Sequence, residues 1–223
     1  MSGAHFAVVL AAGRSRRMGR DKAGLEWING QTLLEWTVDH LKDAGWLPIV
    51  VLGPHNASAS TPMGNDMTHI CNERADKGKT TSIAVGASAI PTNASSILVA
   101  AVDQPRPAEL YRALRLAVHN HPTSIVVPDK HGRNGHPVAL KGRMRHRLLT
   151  LEEDRLGLRG LLNEFAGEIH RMPCDPEWLT WDCNTPSDYR SARAWFEARA
   201  LQGDRGTELE SASFRIIDNH RVR

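Results

Sequence analysis

The residues with most to say about chemistry stand near the amino end, in the run Leu10-Ala-Ala-Gly-Arg-Ser-Arg-Arg-Met-Gly-Arg-Asp-Lys22. Within nine residues, Arg14, Arg16, Arg17, Arg20 and Lys22 set five cations against one acid, Asp21. Small residues at the start of the run let a ligand approach the backbone closely, and loop N–H groups can cradle phosphate oxygens. Arg17 can fork onto a phosphate, while Lys22 offers a compact point charge. The pattern predicts a phosphate-binding loop; its plainer rival is a solvated basic loop. Further along, Asp103-Gln-Pro105 closes a second apolar run. A carboxylate there, facing a cationic loop, suits Mg²⁺, which favours one or two carboxylates together with substrate phosphates. Its plainer rival is an aspartate that caps the following turn. Two other phosphate-loop patterns fail. Gly13 and Gly19 are too far apart for the dinucleotide fingerprint, and Gly78-Lys79-Thr80 has Glu73 where an ATPase loop needs its first glycine.

These residues need elements to hold them. Phe6–Ala12 is a continuous apolar run ending at Gly13, which predicts a strand buried on both faces. Thr32-Leu-Leu-Glu35 has capping-box spacing, Leu33 to Leu41 recur at helical intervals, and Gly45 suits the helix's end. Leu47–Leu52, Thr68–Cys71, Ser96–Val102, Ser124–Val127 and His136–Leu140 read as strands, and Glu168–Met172 as extended. Thr80–Ile90, Pro107–Val118, Arg143–Leu151, Leu156–Phe165 and Pro186–Ala200 read as helices. The alternation predicts an α/β fold with a mostly parallel sheet and helices on both faces, whose ligands sit at the carboxyl ends of strands. Without repeat or linker, residues 1–200 read as one domain, and residues 201–223 as a polar, loosely held tail.

Composition narrows the classes. The chain has 223 residues, 41% hydrophobic and 24% charged, which excludes a disordered or collagen-like protein. No apolar run approaches the roughly 18 residues of a membrane span. A net charge of +3 is too mild for a nucleic-acid partner. The three cysteines, Cys71, Cys174 and Cys183, have no paired spacing, which fits a reducing, cytoplasmic setting. The opening MSGAHFAVVLAAG has no basic region ahead of its apolar run, so no signal peptide is read.

The segment LAAGRSRRMGRDK resembles the signature of the MobA-like NTP transferase family, the nucleotidyltransferases of molybdenum cofactor synthesis. The likeness continues in chain order through Asn72-Glu-Arg with Gly78-Lys-Thr-Thr-Ser-Ile83, Asp103-Gln-Pro105, Gly135-His-Pro-Val138 and Asp182-Cys-Asn-Thr-Pro-Ser-Asp188. It implies a single Rossmann-like, three-layer α/β/α nucleotidyltransferase domain on a mixed, mostly parallel sheet. The implied reaction is metal-dependent transfer of a nucleoside monophosphate from an NTP to a phosphorylated acceptor, a molybdopterin-type cofactor, with release of pyrophosphate.

On that resemblance Leu10, Ala11, Ala12, Gly13, Ser15, Arg17, Lys22, Asn72 and Ser82 meet the nucleotide, and Arg17, Lys22 and Asp103 carry the chemistry. Asp103 and Asp182 hold Mg²⁺ or Mn²⁺, and Gln104, His136 and Asn184 face the acceptor. Cys183 lies between site residues in an extended stretch, so its side chain points away from theirs and it is no nucleophile. LAAG, Asp103-Gln-Pro105 and Gly135-His-Pro-Val138 are similar to the cytidylyltransferases and lead to CTP; Arg20-Asp21-Lys22 with Gly24-Leu25 is similar to the guanylyltransferases, and GTP is the alternative. A sugar- or isoprenoid-phosphate nucleotidyltransferase would keep the chemistry and change the acceptor, and a nucleotide-binding chaperone would keep only the fold. A molybdoenzyme receiving the product is the expected protein partner, with no nucleic acid and no membrane.

Overall fold

Apolar runs of six residues bounded by turn residues are buried from both sides, and that burial makes them strands. The computed structural model describes residues 3–15, 17–57 and 68–202, with the side chains of 201 and 202 left aside. In chain order the elements are β1 (His5–Leu10), α1 (Leu33–Asp43), β2 (Leu47–Leu52), β3 (Thr68–Cys71), α2 (Lys79–Ser88), β4 (Ser96–Ala101), α3 (Ala108–Asn120) and β5 (Ile125–Lys130). There follow β6 (Arg133–Asn134), β7 (Val138–Lys141), α4 (Arg145–Leu149), α5 (Gly157–Glu164), β8 (Ile169–Pro173) and α6 (Pro186–Gln202).

The sheet runs β3-β2-β1-β4-β7-β5. The pairs β1–β2, β1–β4, β2–β3 and β5–β8 are parallel, while β7 lies antiparallel between β4 and β5. β8 pairs along β5 from Ile125 to Asp129, and β7 and the short β6 share β5's opposite edge. This is the expected mixed, mostly parallel sheet. Side chains alternate across it. Ala7 and Val9 join α1, α3 and α6 in one core, whereas Val8 joins α2, α4 and α5 in the other. The result is three layers, α/β/α.

The expected capping box on α1 is formed: the Glu35 amide donates to Thr32 Oγ1 at 3.2 Å, and the Thr32 amide donates to Glu35 Oε2 at 2.7 Å. Gly45 follows the helix at φ +80°, as a helix-ending glycine should. Other expectations shift. The single helix expected over Arg143–Leu151 is a 3₁₀ turn, Gly142–Met144, followed by α4. The Gly142 amide donates to the Ser95 carbonyl, and Ala94 O lies where a Cβ would go, so this turn is pinned to the preceding loop. The strand expected from His136 starts only at Val138. β6 lies outside every strand expected from the sequence. It forms because His131 and Gly132, both at positive φ, make a two-residue hairpin turn. Residues 203–223, most of the expected tail, lie outside the described residues.

α2 comes very close to the sheet at Gly86, where a Cβ would sit 2.4 Å from Val8 Cγ1 and 3.0 Å from Val51 Cγ2. Gly86→Ala gains about 1 kcal/mol of helix propensity but overpacks by roughly 1–3 kcal/mol. We expect a lowered midpoint of thermal unfolding; an unchanged or raised midpoint would show that α2 can retreat from β1 and β2.

Candidate active site

The loops after β1 and β4 leave neighbouring parallel strands in different directions, which opens a crevice at their carboxyl ends. A cleft of about 220 Å³ lies there, lined by Leu10–Gly13, Ser15 and Lys22 from the first loop and by Val102 and Asp103 from the second. The turn before α2 closes it with Asp76 and Gly78, and the start of α2 with Lys79 and Ser82.

The first loop is braced from beneath. Asn56, buried, donates from Nδ2 to the Ala11 carbonyl at 2.9 Å and to Asp21, and its Oδ1 accepts from the Gly53 amide at 2.8 Å. The Ser15 hydroxyl accepts from the Lys22 amide at 3.3 Å, folding the loop back so that Lys22 faces inward. A Cβ on Gly13 would meet no protein atom within 4 Å, so the bare backbone there faces open space at the cleft. That suits close approach of a ligand.

Of the loop's cations, only Lys22 lines the cleft among the described residues. Arg14, Arg17 and Arg20 are exposed, because buried Met18 takes the inward position of the intervening turn. Arg16 lies outside the described residues. Arg17, expected to hold the phosphates, thus stands exposed and outside the cleft lining. The second cation at the cleft is Lys79, the first residue of α2, which is not among the expected nucleotide-binding residues.

Lys22 is nearly buried, and its ammonium donates to Asp103 Oδ2 at 2.8 Å and to Asn184 Oδ1 at 2.9 Å. One side chain thus joins three distant segments. The Cys183 amide donates to the Asp103 carbonyl at 2.7 Å, laying the 182–184 segment along the end of β4. Gln104 Nε2 donates to Asp182 Oδ1 at 2.8 Å. Gln104, Asp182, His136 and Asn184 do not line the cleft; Asn184 connects to it through Lys22, and Asp182 through Gln104 beside Asp103. The His136 ring is exposed, yet its crowded surroundings lower its pKa, desolvation most and Asp182 opposing. Cys183 is fully buried, and burial together with the Asp103 charge pushes its thiol up to about 12. It is inert, as its alternation with the site residues foretold. Thr185 and Asp188 cap α6 reciprocally, so the 182–188 stretch serves both site and helix start.

On the α2 side, Ser82 lines the cleft and Asn72 does not. Asn72 is buried, its amide committed at 2.9 Å to both Thr81 Oγ1 and Ser82 Oγ. It reaches the cleft only by orienting Ser82. α2 has no side-chain cap of its own; Glu153 supplies one from afar, its Oε2 accepting from the Thr80 amide at 3.0 Å and the Thr80 hydroxyl at 2.8 Å. Gly78 permits this approach, since a Cβ would lie 2.4 Å from that oxygen.

The atoms near Lys22 and Gln104 that could ligate a metal are oxygens: the carboxylates of Asp103 and Asp182 and the amide oxygen of Asn184. Among the described residues no group of three or more His, Cys, Asp or Glu side chains could cage a metal unaided. This set fits a hard divalent cation shared with substrate phosphates, as Mg²⁺ prefers.

The family model of the MobA-like NTP transferase domain matches residues 7–170, which include the cleft and its first carboxylate. The chain belongs to this family. A MobA-like NTP transferase is a nucleotidyltransferase, and several relatives are named as such. A molybdenum cofactor guanylyltransferase of Rhizobium johnstonii is 29% identical over 87% of this chain and 94% of its own. The solved structure of a nucleotidyl transferase from Methanothermobacter superposes with a TM-score of 0.73 at 26% identity, covering 88% of this chain and 99% of the other. A nicotine blue oxidoreductase of Paenarthrobacter nicotinovorans, 27% identical over 80% of this chain and 91% of its own, bears a different activity in its name. For this MobA-like chain the reaction must therefore be argued from Lys22 and Asp103, not from the fold. No helix among its described residues is long and apolar enough to cross a membrane.

Proposed function

We propose that the protein transfers GMP from GTP to the phosphate of a molybdopterin-type acceptor, with Mg²⁺ or Mn²⁺, releasing pyrophosphate. The observation that carries it is the Lys22 ammonium, held at 2.8 Å from Asp103 and 2.9 Å from Asn184 in a cleft floored by Leu10–Gly13. LAAG, Asp103-Gln-Pro105 and Gly135-His-Pro-Val138 lead to CTP, but relatives named as molybdenum cofactor guanylyltransferases favour GTP, as does the likeness of Arg20-Asp21-Lys22 with Gly24-Leu25 to that type.

In this reading an acceptor phosphate oxygen attacks the α-phosphorus in line; its bond to phosphorus forms as the bond to the bridging β-phosphate oxygen breaks. The acceptor phosphate is ionised near pH 7, so no residue need act as base. Catalysis is then positioning and charge stabilisation. A lysine ammonium has three N–H donors. With two engaged by Asp103 and Asn184, Lys22 has its third left for the triphosphate in this reading. Asp103 and Asp182 would hold the divalent cation, which supplies neutralising charge at the reacting phosphates. The backbone of Leu10–Gly13 and the Ser82 hydroxyl bind the nucleoside, and Gln104, His136 and Asn184 orient the acceptor.

A thermal-shift panel of four NTPs with Mg²⁺ tests this. A ligand at 100 times its Kd stabilises by about 2.7 kcal/mol, which is readily measured. A selective GTP shift is expected. A selective CTP shift would restore the cytidylyl assignment, and no shift with any triphosphate would overturn nucleotide transfer.

A further inference from the structure

Arg106 is 1% exposed and among the largest fully buried side chains, yet no carboxylate pairs with it among the described residues. Burying a cation without a counter-charge is costly unless hydrogen bonds satisfy it. Here backbone carbonyls do so. Nη1 donates to Pro105 O at 2.9 Å and Trp181 O at 3.0 Å, Nη2 to Leu179 O at 2.7 Å, and Nε to His136 O at 3.4 Å. These carbonyls belong to three segments far apart in sequence. Each segment carries or adjoins a residue of the proposed site: Asp103 and Gln104, His136, and Asp182.

We infer that Arg106 is a positioning residue for the metal and acceptor side of the site, setting where Asp182 and His136 stand relative to Asp103. The inference rests on the reaction proposed above for its functional consequence, though not for its geometry. A planar guanidinium can fan several donors toward carbonyls in fixed directions, and a lysine cannot. None of Pro105, His136, Leu179 or Trp181 lines the nucleotide cleft. The nucleotide side is braced separately by Asn56, Ser15 and Glu153. Loss of the fork should therefore act on one half of the site and spare the other, which a general loosening of the fold would not do.

The test is Arg106→Lys, read three ways. We expect GTP affinity by thermal shift to stay within about threefold of wild type. The acceptor KM and the half-saturating Mn²⁺ concentration should each rise at least tenfold. The Cys183 amide, bonded to the Asp103 carbonyl, should exchange its hydrogen at least tenfold faster while β1 amides do not change. Unchanged exchange at Cys183, or an equal loss of GTP, acceptor and metal affinity, overturns the inference. If Arg106→Lys does not fold, hydrogen exchange of the wild-type protein decides. Residues 103–107, 135–137 and 179–183 should open as one unit, separately from 72–82; independent opening of these three segments overturns it. If wild-type protein releases no pyrophosphate with any triphosphate, the proposed reaction fails by itself, and the exchange pattern still decides the role of Arg106.

Discussion

Lys22→Met is expected to lower the rate of pyrophosphate release by roughly 10²–10³-fold or more, the scale of losing one preorganised electrostatic group. Methionine keeps the length and most of the volume of lysine and removes the ammonium. Asp103 Oδ2 and Asn184 Oδ1 then lose their shared donor, and the triphosphate loses the one loop cation that lines the cleft among the described residues. The fold should survive. The Asp103 side chain keeps 22% of its surface in solvent, so water can replace part of what is lost. A stability cost of about 1–2 kcal/mol is expected, at or below the usual range for hydrogen bonds to charged groups. Lys22→Arg should not rescue, because a guanidinium fork is wider than an ammonium set between two oxygens at 2.8 and 2.9 Å. A variant with an intact unfolding transition and a rate within tenfold of wild type would remove Lys22 from the mechanism.

Asp103→Asn should have an effect of similar size by a different route, roughly 10²–10³-fold or more. The amide keeps the shape and can still accept from Lys22, so the lysine stays in place while the carboxylate charge is lost. If Asp103 holds the divalent cation, the variant's half-saturating metal concentration rises well above that of wild type. If it acts only by positioning Lys22, the metal titration is unchanged and the rate falls modestly. A metal curve that superposes on wild type would therefore refute the metal-ligand role, and near-normal turnover would refute the site altogether. Measuring both substitutions together adds a check: residues joined at 2.8 Å should not have additive effects.

Much of the fold could be read directly. β2 occupies the span expected from its apolar run, Leu47–Leu52, because a parallel strand buried on both faces needs no alternation to betray it. β3, exposed or half-buried at the sheet's edge, also fills its expected span, Thr68–Cys71. α1 announces both ends in its own residues, Thr32 with Glu35 at one and Gly45 at the other. The boundaries that moved depend on distant groups. The break before α4 follows from Gly142 docking on Ser95 and Ala94, 47 and 48 positions earlier by their numbers. β6 exists only because β5 is there to pair with it.

The site divides in the same way. The chain itself determined a cationic loop after a buried strand, a carboxylate after another, and an alternation that turns Cys183 inward, since each depends on residue type and short-range geometry. Tertiary structure alone decided which groups meet. It turned Arg17 to solvent and Lys22 inward, committed Asn72 to Ser82, and brought Lys79 to the cleft. It also carried Glu153 to the start of α2 and drew the 136 and 179–181 segments onto Arg106. The physical reason lies in sequence separation. Lys22 finds its partners 81 and 162 residues away, and no local spacing encodes a hydrogen bond that forms only after the sheet has brought two loops to the same edge.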